Sequence, residues 1–327
     1  MPISSDPIPA LPPGLSVVIP VYNSAAILPQ LVARLGPVLR ATGRPHELIL
    51  VNDGSRDHSW EVVQELARAH PWVRGCCLMR NYGQHNALLC GIRLVRHDTT
   101  VTLDDDLQHP PEELPKLLGK FHEGLADVIY GPPQNEQHGL LRDVASLITK
   151  AALRSTVGAQ TARMVCAYRV FRTQLRDAFA DYHSPYVNID VLLTWGTTRF
   201  GAIPVRHEAR REGRSNYNFA QLARHALNMM TGFSVLPLQL GSFIGFACTL
   251  FGLAVLAFVL GRYFLVGSSV AGFPFLASII AIFSGAQLLT LGIIGEYLAR
   301  MHFRLMEKPA YTVRLQSSPP DLPSAQT

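Results

Sequence analysis

The chain has 327 residues and a formal net charge of +5, room for one large or two ordinary domains. Only 16% of its residues are charged, against about 25% in an ordinary soluble domain, and the apolar surplus falls after residue 235. Those totals exclude a wholly soluble protein and describe a soluble domain with a membrane-embedded end. No nucleic acid is expected as a partner.

Residues 1–14 are Pro-rich, carry no signal-peptide core, and are expected to be disordered. Ser16-Val17-Val18-Ile19-Pro20 reads as a strand, and Val21-Tyr22-Asn23-Ser24 turns out of it. Residues 25–39 have helical apolar spacing at Ile27, Leu31, Leu35 and Leu39. A second strand, Leu48-Ile49-Leu50-Val51, ends in Asn52-Asp53-Gly54-Ser55, and Asp57 or Ser59 can cap the helix that follows through Trp60, Val63 and Leu66. Residues 73–79 form a third strand, Arg80-Asn81-Tyr82-Gly83-Gln84-His85 a turn, and 86–95 a helix. Val101-Thr102-Leu103 then runs into Asp104-Asp105-Asp106-Leu107-Gln108-His109-Pro110-Pro111, followed by a helix to about residue 123 and a short strand at 127–130. The five cysteines (Cys76, Cys77, Cys90, Cys166, Cys248) show neither a paired framework nor metal-ligand spacing and read as reduced thiols.

Strand-helix alternation at this spacing predicts a mostly parallel sheet covered on both faces. Polar clusters follow the strands at Asn23, Asp53, Asn81 and Asp104–Asp106, where open α/β sheets bind ligands. In an extended chain Asp104 and Asp106 share a face and Asp105 takes the other. Two like charges on one face call for a cation, and hard oxygen ligands suit Mg²⁺ or Mn²⁺ held together with substrate phosphates. No GxGxxG follows the first strand, and no GxxxxGKS or GxxxxGKT occurs, which weighs against a dinucleotide oxidoreductase and a P-loop NTPase.

Three segments carry a resemblance: Val18-Ile19-Pro20-Val21-Tyr22-Asn23, Val51-Asn52-Asp53-Gly54-Ser55 and Leu103-Asp104-Asp105-Asp106-Leu107-Gln108 are similar to the signatures of family 2, GT-A-fold glycosyltransferases. Asn81-Tyr82-Gly83-Gln84-His85 narrows the likeness to the polyprenyl-phosphate glycosyltransferases, whose branches transfer 4-amino-4-deoxy-L-arabinose, glucose or mannose, and it extends over residues 15–314. The resemblance implies a Rossmann-like GT-A domain over 15–217. It assigns Pro20, Tyr22, Asn23, Asp53, Gln84 and Asp105 to the nucleotide-sugar donor. Asp104, Asp106 and Gln108 would hold the metal, and Asp104, Asp106, Arg142 and Arg210 would form the catalytic set. Arg142 and Ser146, at i and i+4 of an expected helix, and Arg211 would bind the phosphate of the lipid acceptor. Arg210 falls in His207-Glu208-Ala209-Arg210-Arg211-Glu212-Gly213-Arg214-Ser215-Asn216-Tyr217, which resembles the family's basic RxxGxSxY segment.

Two positions depart from the family. Gly131-Pro132-Pro133 stands where an Arg is common, and Gln160 aligns with a family Asp. They leave a second reading open, a catalytically silent membrane-anchored relative that binds nucleotide or scaffolds partners. A processive polysaccharide synthase fits poorly, because there is no QxxRW segment and two spans are too few for a translocation pore.

Residues 218–235 mix apolar and basic side chains and read as an amphipathic interface helix. Two uncharged runs, about 238–263 and 273–295 within residues 236–297, are each long enough to cross a bilayer. Arg210, Arg211, Arg214 and Arg224 precede this hairpin, and Arg300, Arg304 and Lys308 follow it. The positive-inside rule then places the catalytic domain and both termini in the cytoplasm of a bacterial inner-membrane protein. Residues 298–327 form a tail with a short strand at 311–314 and a disordered end from 316. The activity that the resemblance implies is inverting, metal-dependent transfer of a sugar, 4-amino-4-deoxy-L-arabinose or a related one, from a nucleotide donor, UDP by expectation, to undecaprenyl phosphate. Analogy with the family adds a homo-oligomer, a tetramer.

Overall fold

The computed structural model describes residues 11–134, 159–208, 236–266, 273–306 and 308–317. Eight strands, β1 (Leu15–Val21), β2 (His46–Asn52), β3 (Val73–Leu78), β4 (Thr99–Thr102), β5 (Val128–Tyr130), β6 (Arg169–Arg172), β7 (Phe200–Ala202) and β8 (Val313–Ser317), form one sheet. Its order is β7-β5-β6-β4-β1-β2-β3-β8. The central run β4-β1-β2-β3 is parallel, as is β5 with β7, while β6 and β8 pair antiparallel with their neighbours.

The pleat sorts the core. Leu15, Val17, Ile19 and Val21 of β1 face helices α1 (Leu28–Ala41), α2 (Ser59–Ala69) and α4 (Leu114–His122). Val18, with Ile49 and Val51 of β2, faces α3 (Gln84–Leu94) and α6 (Ile189–Gly196). α5 (Ala159–Met164) precedes β6. In α1 the buried Leu28, Leu31, Val32, Leu35 and Leu39 recur at helical spacing and form one stripe. Both faces of the sheet are therefore covered, as the strand-helix alternation requires.

The chain runs β1, β2, β3 outward in one direction and returns to β4 on the other flank of β1. β1 and β4 therefore border a topological switch point, where such sheets hold ligands. Their pairing stops at Val18↔Thr102, whereas β1 continues to pair with β2 as far as Val21↔Asn52. A crevice opens beyond Val18. Pro20 lies past the last β1–β4 pair, so its missing N–H costs that ladder nothing.

Three expectations need correction, and one strand went unforeseen. β4 ends at Thr102, and Asp105 and Asp106 lie in a turn with Leu107 at φ 58°, so the alternation of an extended chain does not sort the aspartates. Adjacent carboxylates and a left-handed residue cannot continue a ladder. Strand β6 did not stand out in the sequence, because Arg-Val-Phe-Arg ends in charges. Gln316 and Ser317, expected to be disordered, pair with Cys76 and Gly75 through backbone groups that need no side-chain pattern. Residues 11–14, also expected to be disordered, are ordered against Asp98, which receives the Gly14 N–H at 3.0 Å and donates its own N–H to Pro12 O at 3.0 Å. The expected helix around Arg142, most of the basic segment after residue 208 and the interface helix at 218–235 fall outside the described residues.

Two helices, α7 (Leu236–Val266, 31 residues) and α8 (Phe273–Leu305, 33 residues), pack side by side. Phe283 lies against Gly252, and Thr290 Oγ1 reaches Gly241 O at 3.5 Å. Both are long and apolar enough to cross a membrane, in windows Leu238–Val255 and Ile282–Ala299. Phe243, Phe246, Phe258, Phe264, Leu288 and Leu291 point outward and exposed, an arrangement water penalises and lipid does not. α8 extends ten residues past its expected end at 295, because its last turns carry Glu296, Arg300 and Arg304, which end the uncharged run without ending the helix.

Between β6 and α6 lies the main buried charge. Arg169, 1% exposed, bonds Asp190, whose Oδ1 also accepts the Tyr130 hydroxyl at 2.9 Å. Arg169→Met leaves Asp190 buried without its cation and should cost about 3–5 kcal/mol. A lowered melting midpoint of the purified protein, larger than that of Asp190→Asn, is the expected observation.

Candidate functional site

The carboxyl ends of β1 to β4 converge on a cavity of about 280 Å³ lined by Pro20, Val21, Tyr22, Asp53, Asn81, Gly83, Gln84, Asp104, Asp105 and Asp106. Each wall is a turn that follows a parallel strand.

The Asp53 carboxylate is caught by backbone: Oδ1 accepts the Tyr82 N–H at 2.7 Å and Oδ2 the Gly83 N–H at 2.8 Å. The turn after β3 is thereby tied to the turn after β2. Two glycines permit it. Gly83 sits at φ 100°, just before α3. Gly54 sits at φ 61°, where a Cβ would come within 2.4 Å of Arg80 C and 2.5 Å of Asn81 N. Burial pushes the Asp53 carboxyl above its ordinary range, and the two N–H donors with Arg80 oppose that rise.

The three aspartates diverge. Asp104 Oδ1 accepts from Gln84 Nε2 at 2.6 Å, so the first turn of α3 reaches the end of β4. Asp105 Oδ2 accepts the Tyr22 N–H at 3.2 Å and the Ser24 hydroxyl at 2.5 Å, which fastens the turn after β1. Burial raises the Asp105 carboxyl, and Ser24 and Tyr22 counter it. Asp106 Oδ1 accepts the Gln108 N–H at 3.1 Å. Asp104 and Asp106 are partly exposed in the cavity.

Asn23 and Gln108 are not in the cavity lining. Asn23, at φ 54°, bonds the next loop instead, its Oδ1 accepting the Arg56 N–H at 2.8 Å and its N–H reaching Ser55 Oγ at 3.0 Å. Gln108 uses its main chain, its carbonyl accepting the Glu208 N–H at 2.9 Å. Arg142, Ser146, Arg210 and Arg211 lie outside the described residues. Pro132 and Pro133 extend the β5–β7 seam, Pro132 O accepting the Val205 N–H at 2.9 Å.

Sequence reasoning assigned no role to Ser24 or to the Tyr82 and Gly83 amides. Only the quoted Asn81-Tyr82-Gly83-Gln84-His85 run hinted at the latter. It also missed His109, which is buried between the rings of Tyr168 and His207. Among the described residues, His109 Nδ1 and the Tyr168 hydroxyl find no hydrogen-bond partner. Burial and His207 push His109 down to about 4, so it is neutral at pH 7.

Among the described residues no three His, Cys, Asp or Glu side chains converge as a closed metal site. The donor set in the cavity is two carboxylates, Asp104 and Asp106. That is the share a protein supplies to Mg²⁺ or Mn²⁺ when substrate phosphates and water complete the shell, so the residues fit such a cation in company with a diphosphate.

The family model described as glycosyl transferase family 2 matches residues 16–182. The chain belongs to glycosyltransferase family 2. This transferase is 36% identical over 304 residues to a Shewanella sediminis protein named undecaprenyl-phosphate 4-deoxy-4-formamido-L-arabinose transferase, covering 92% of this chain and 91% of that one. It is 34% identical over 315 residues to a Klebsiella pneumoniae protein of the same name, covering 95% and 96%. Among solved structures, glucosyl-3-phosphoglycerate synthase from Mycobacterium tuberculosis superposes with a TM-score of 0.51 at 17% identity, covering 68% of this chain and 80% of that one. The transferase domain thus has the GT-A fold.

Gly54→Ala should drive a methyl group into the Arg80–Asn81 peptide and shift the turn that holds Asp53. A lowered melting midpoint of the purified protein, matching the loss of one or two such hydrogen bonds at about 0.5–1.5 kcal/mol each, is the expected observation.

Proposed function

We propose that this transferase moves a 4-deoxy-4-formamido-L-arabinosyl group, or a close relative of it, from UDP to undecaprenyl phosphate at a membrane surface, with inversion at the anomeric carbon. The observation that carries the reading is the cavity at the switch point. Asp53, Asp104 and Asp106 meet there, in a chain that also bears two helices of membrane-crossing length. The relatives' names supply the acceptor and the 4-formamido substituent in place of the 4-amino group expected from the sequence.

Asp53 would accept the imide N–H of the uracil ring. Tyr22 and Pro20 would border the nucleotide. A divalent cation held by Asp104 and Asp106, completed by donor phosphates and with Gln108 near at hand, would offset the charge that develops on the departing diphosphate. The mycobacterial synthase of the same fold was solved with Mn²⁺ and UDP-glucose, which agrees with that choice of ligands. Gln84 would steady Asp104 so that the carboxylate keeps its aim.

Arg142 and Ser146 would receive the lipid phosphate, and Arg210 and Arg211 would add positive charge beside both phosphate groups. Arg suits bidentate phosphate contact. The acceptor needs little help from a base: a phosphate monoester has a second pKa near 6 and is already an oxyanion at neutral pH. Gln160 in place of an Asp is compatible with that chemistry. The basic residues on either side of α7 and α8 support a cytoplasmic position for the catalytic domain and both chain ends at the inner membrane.

The test is transfer itself. Purified protein with Mg²⁺ or Mn²⁺, undecaprenyl phosphate and a panel of UDP-sugars should yield a lipid-linked sugar, chelation by EDTA should stop it, and added Mn²⁺ should restore it. Metal-dependent UDP binding with no product from any donor would favour the catalytically silent reading. Asp106→Asn should lower the rate about 10²–10³-fold, the scale for losing one charge-stabilising group, with an unchanged melting midpoint. Arg142→Ala should raise the KM for the lipid and leave that for the UDP-sugar unchanged.

A further inference from the structure

Asn86 opens into the space behind the cavity rather than into it. It is 5% exposed, and its carboxamide nitrogen donates to two main-chain carbonyls, Pro185 O at 3.1 Å and Ala310 O at 2.5 Å. These carbonyls are 99 and 224 positions away in the chain. Pro185 belongs to the segment that leads into α6, and Ala310 lies five residues past the end of α8. Ala310 is itself buried, and Thr312 O accepts the Met79 N–H at 2.9 Å where the chain enters β8. The segment returning from the second apolar helix is therefore pinned to the catalytic domain just behind the turn after β3.

That same turn builds the cavity wall. Tyr82 and Gly83 hold Asp53, and Gln84 holds Asp104. The next residue, His85, takes the Ile189 N–H on its Nδ1 at 3.3 Å, at the start of α6. Of the five consecutive residues 82–86, the first three thus hold carboxylates of the cavity and the last two hold the segments behind it. The backbone of Asn86 is fixed to the turn as well, its N–H donating to Gly83 O at 3.0 Å.

We propose that Asn86 is a positioning residue that couples the segment returning from α8 to the donor cavity: by gripping Ala310 O and Pro185 O it sets the turn whose amides and Gln84 aim Asp53 and Asp104. The proposal rests on the reading of the cavity as a UDP-sugar and metal site. A buried carboxamide with two long-range carbonyl acceptors fixes the rotation of α3 about its own axis, and Gln84 sits two residues away on that first turn. The docked tail is then part of the donor site without touching the donor.

The test uses the full chain in detergent and titrates it with UDP in the presence of Mn²⁺. Asn86→Ala and Asn86→Asp remove the donor. Leu315→Pro loosens the tail from outside, because it deletes a backbone N–H in β8 opposite Cys77 and leaves the turn at 81–86 untouched. All three should weaken UDP·Mn²⁺ about tenfold and raise the KM for the UDP-sugar, with the KM for the lipid phosphate unchanged. A purely structural role would lower the melting midpoint and the active fraction while leaving the dissociation constant of the folded fraction as in wild type, and that result overturns the proposal. An unchanged dissociation constant in Leu315→Pro, with proteolysis showing the tail released, overturns it too. Absence of UDP·Mn²⁺ binding by the wild-type chain overturns the transferase reading and the proposal together, whereas wild-type binding with unaffected variants overturns the proposal alone.

Discussion

The fold's function depends on one carboxylate held by two amides. Asp53 lies just after β2, and the Tyr82 and Gly83 N–H groups lie in the turn that follows β3. Their union joins the two turns into one wall after the ladder between the strands has stopped. It requires the two loops to touch backbone to backbone, and that contact requires the missing Cβ of Gly54. A side chain there would separate the walls by more than a hydrogen bond can span.

From that clasp the rest follows by adjacency. Gln84, one residue beyond Gly83, reaches Asp104 across the crevice. Asp105 reaches back to Tyr22 and Ser24. The four turns after β1, β2, β3 and β4 are closed into a ring by hydrogen bonds to carboxylates. The acidic residues therefore do two kinds of work. Asp53, Asp104 and Asp105 take the hydrogen bonds that close the ring, and Asp104 and Asp106 would in addition offer oxygens to a metal. In the proposed reaction this bracing keeps the metal-binding pair from relaxing apart under their own repulsion, since each is restrained by a neighbour that is not a metal.

The family assignment and the fold agree with the chemistry, and each contributes a separate part. Membership in glycosyltransferase family 2 comes from the match over residues 16–182 and from relatives at about 35% identity along nearly the whole chain. The distant solved relatives speak to the fold alone. The sugar, the nucleotide and the lipid are proposals that rest on the relatives' names and on the presence of a donor cavity and two apolar helices in one chain.

Several features were legible in the residues themselves. Apolar spacing in α1 marked a stripe, the uncharged runs marked α7 and α8, and polar clusters after four strands marked the cavity, because local periodicity and abrupt changes of polarity are written in consecutive residues. Other features were not legible, and each is a long-range pairing. β6 and the last residues of β8, beyond the strand expected at 311–314, owe their existence to neighbours far away in the chain, which supply backbone partners whatever their side chains. The roles of Ser24, Asn86 and Arg169 lie in contacts 21 to 224 positions distant. By its own pattern the chain determined which residues are chemically able to act and which strand ends carry them. Only the tertiary structure decided which neighbouring turn each aspartate of the cavity would brace, because that depends on where other turns bring their donor groups in space.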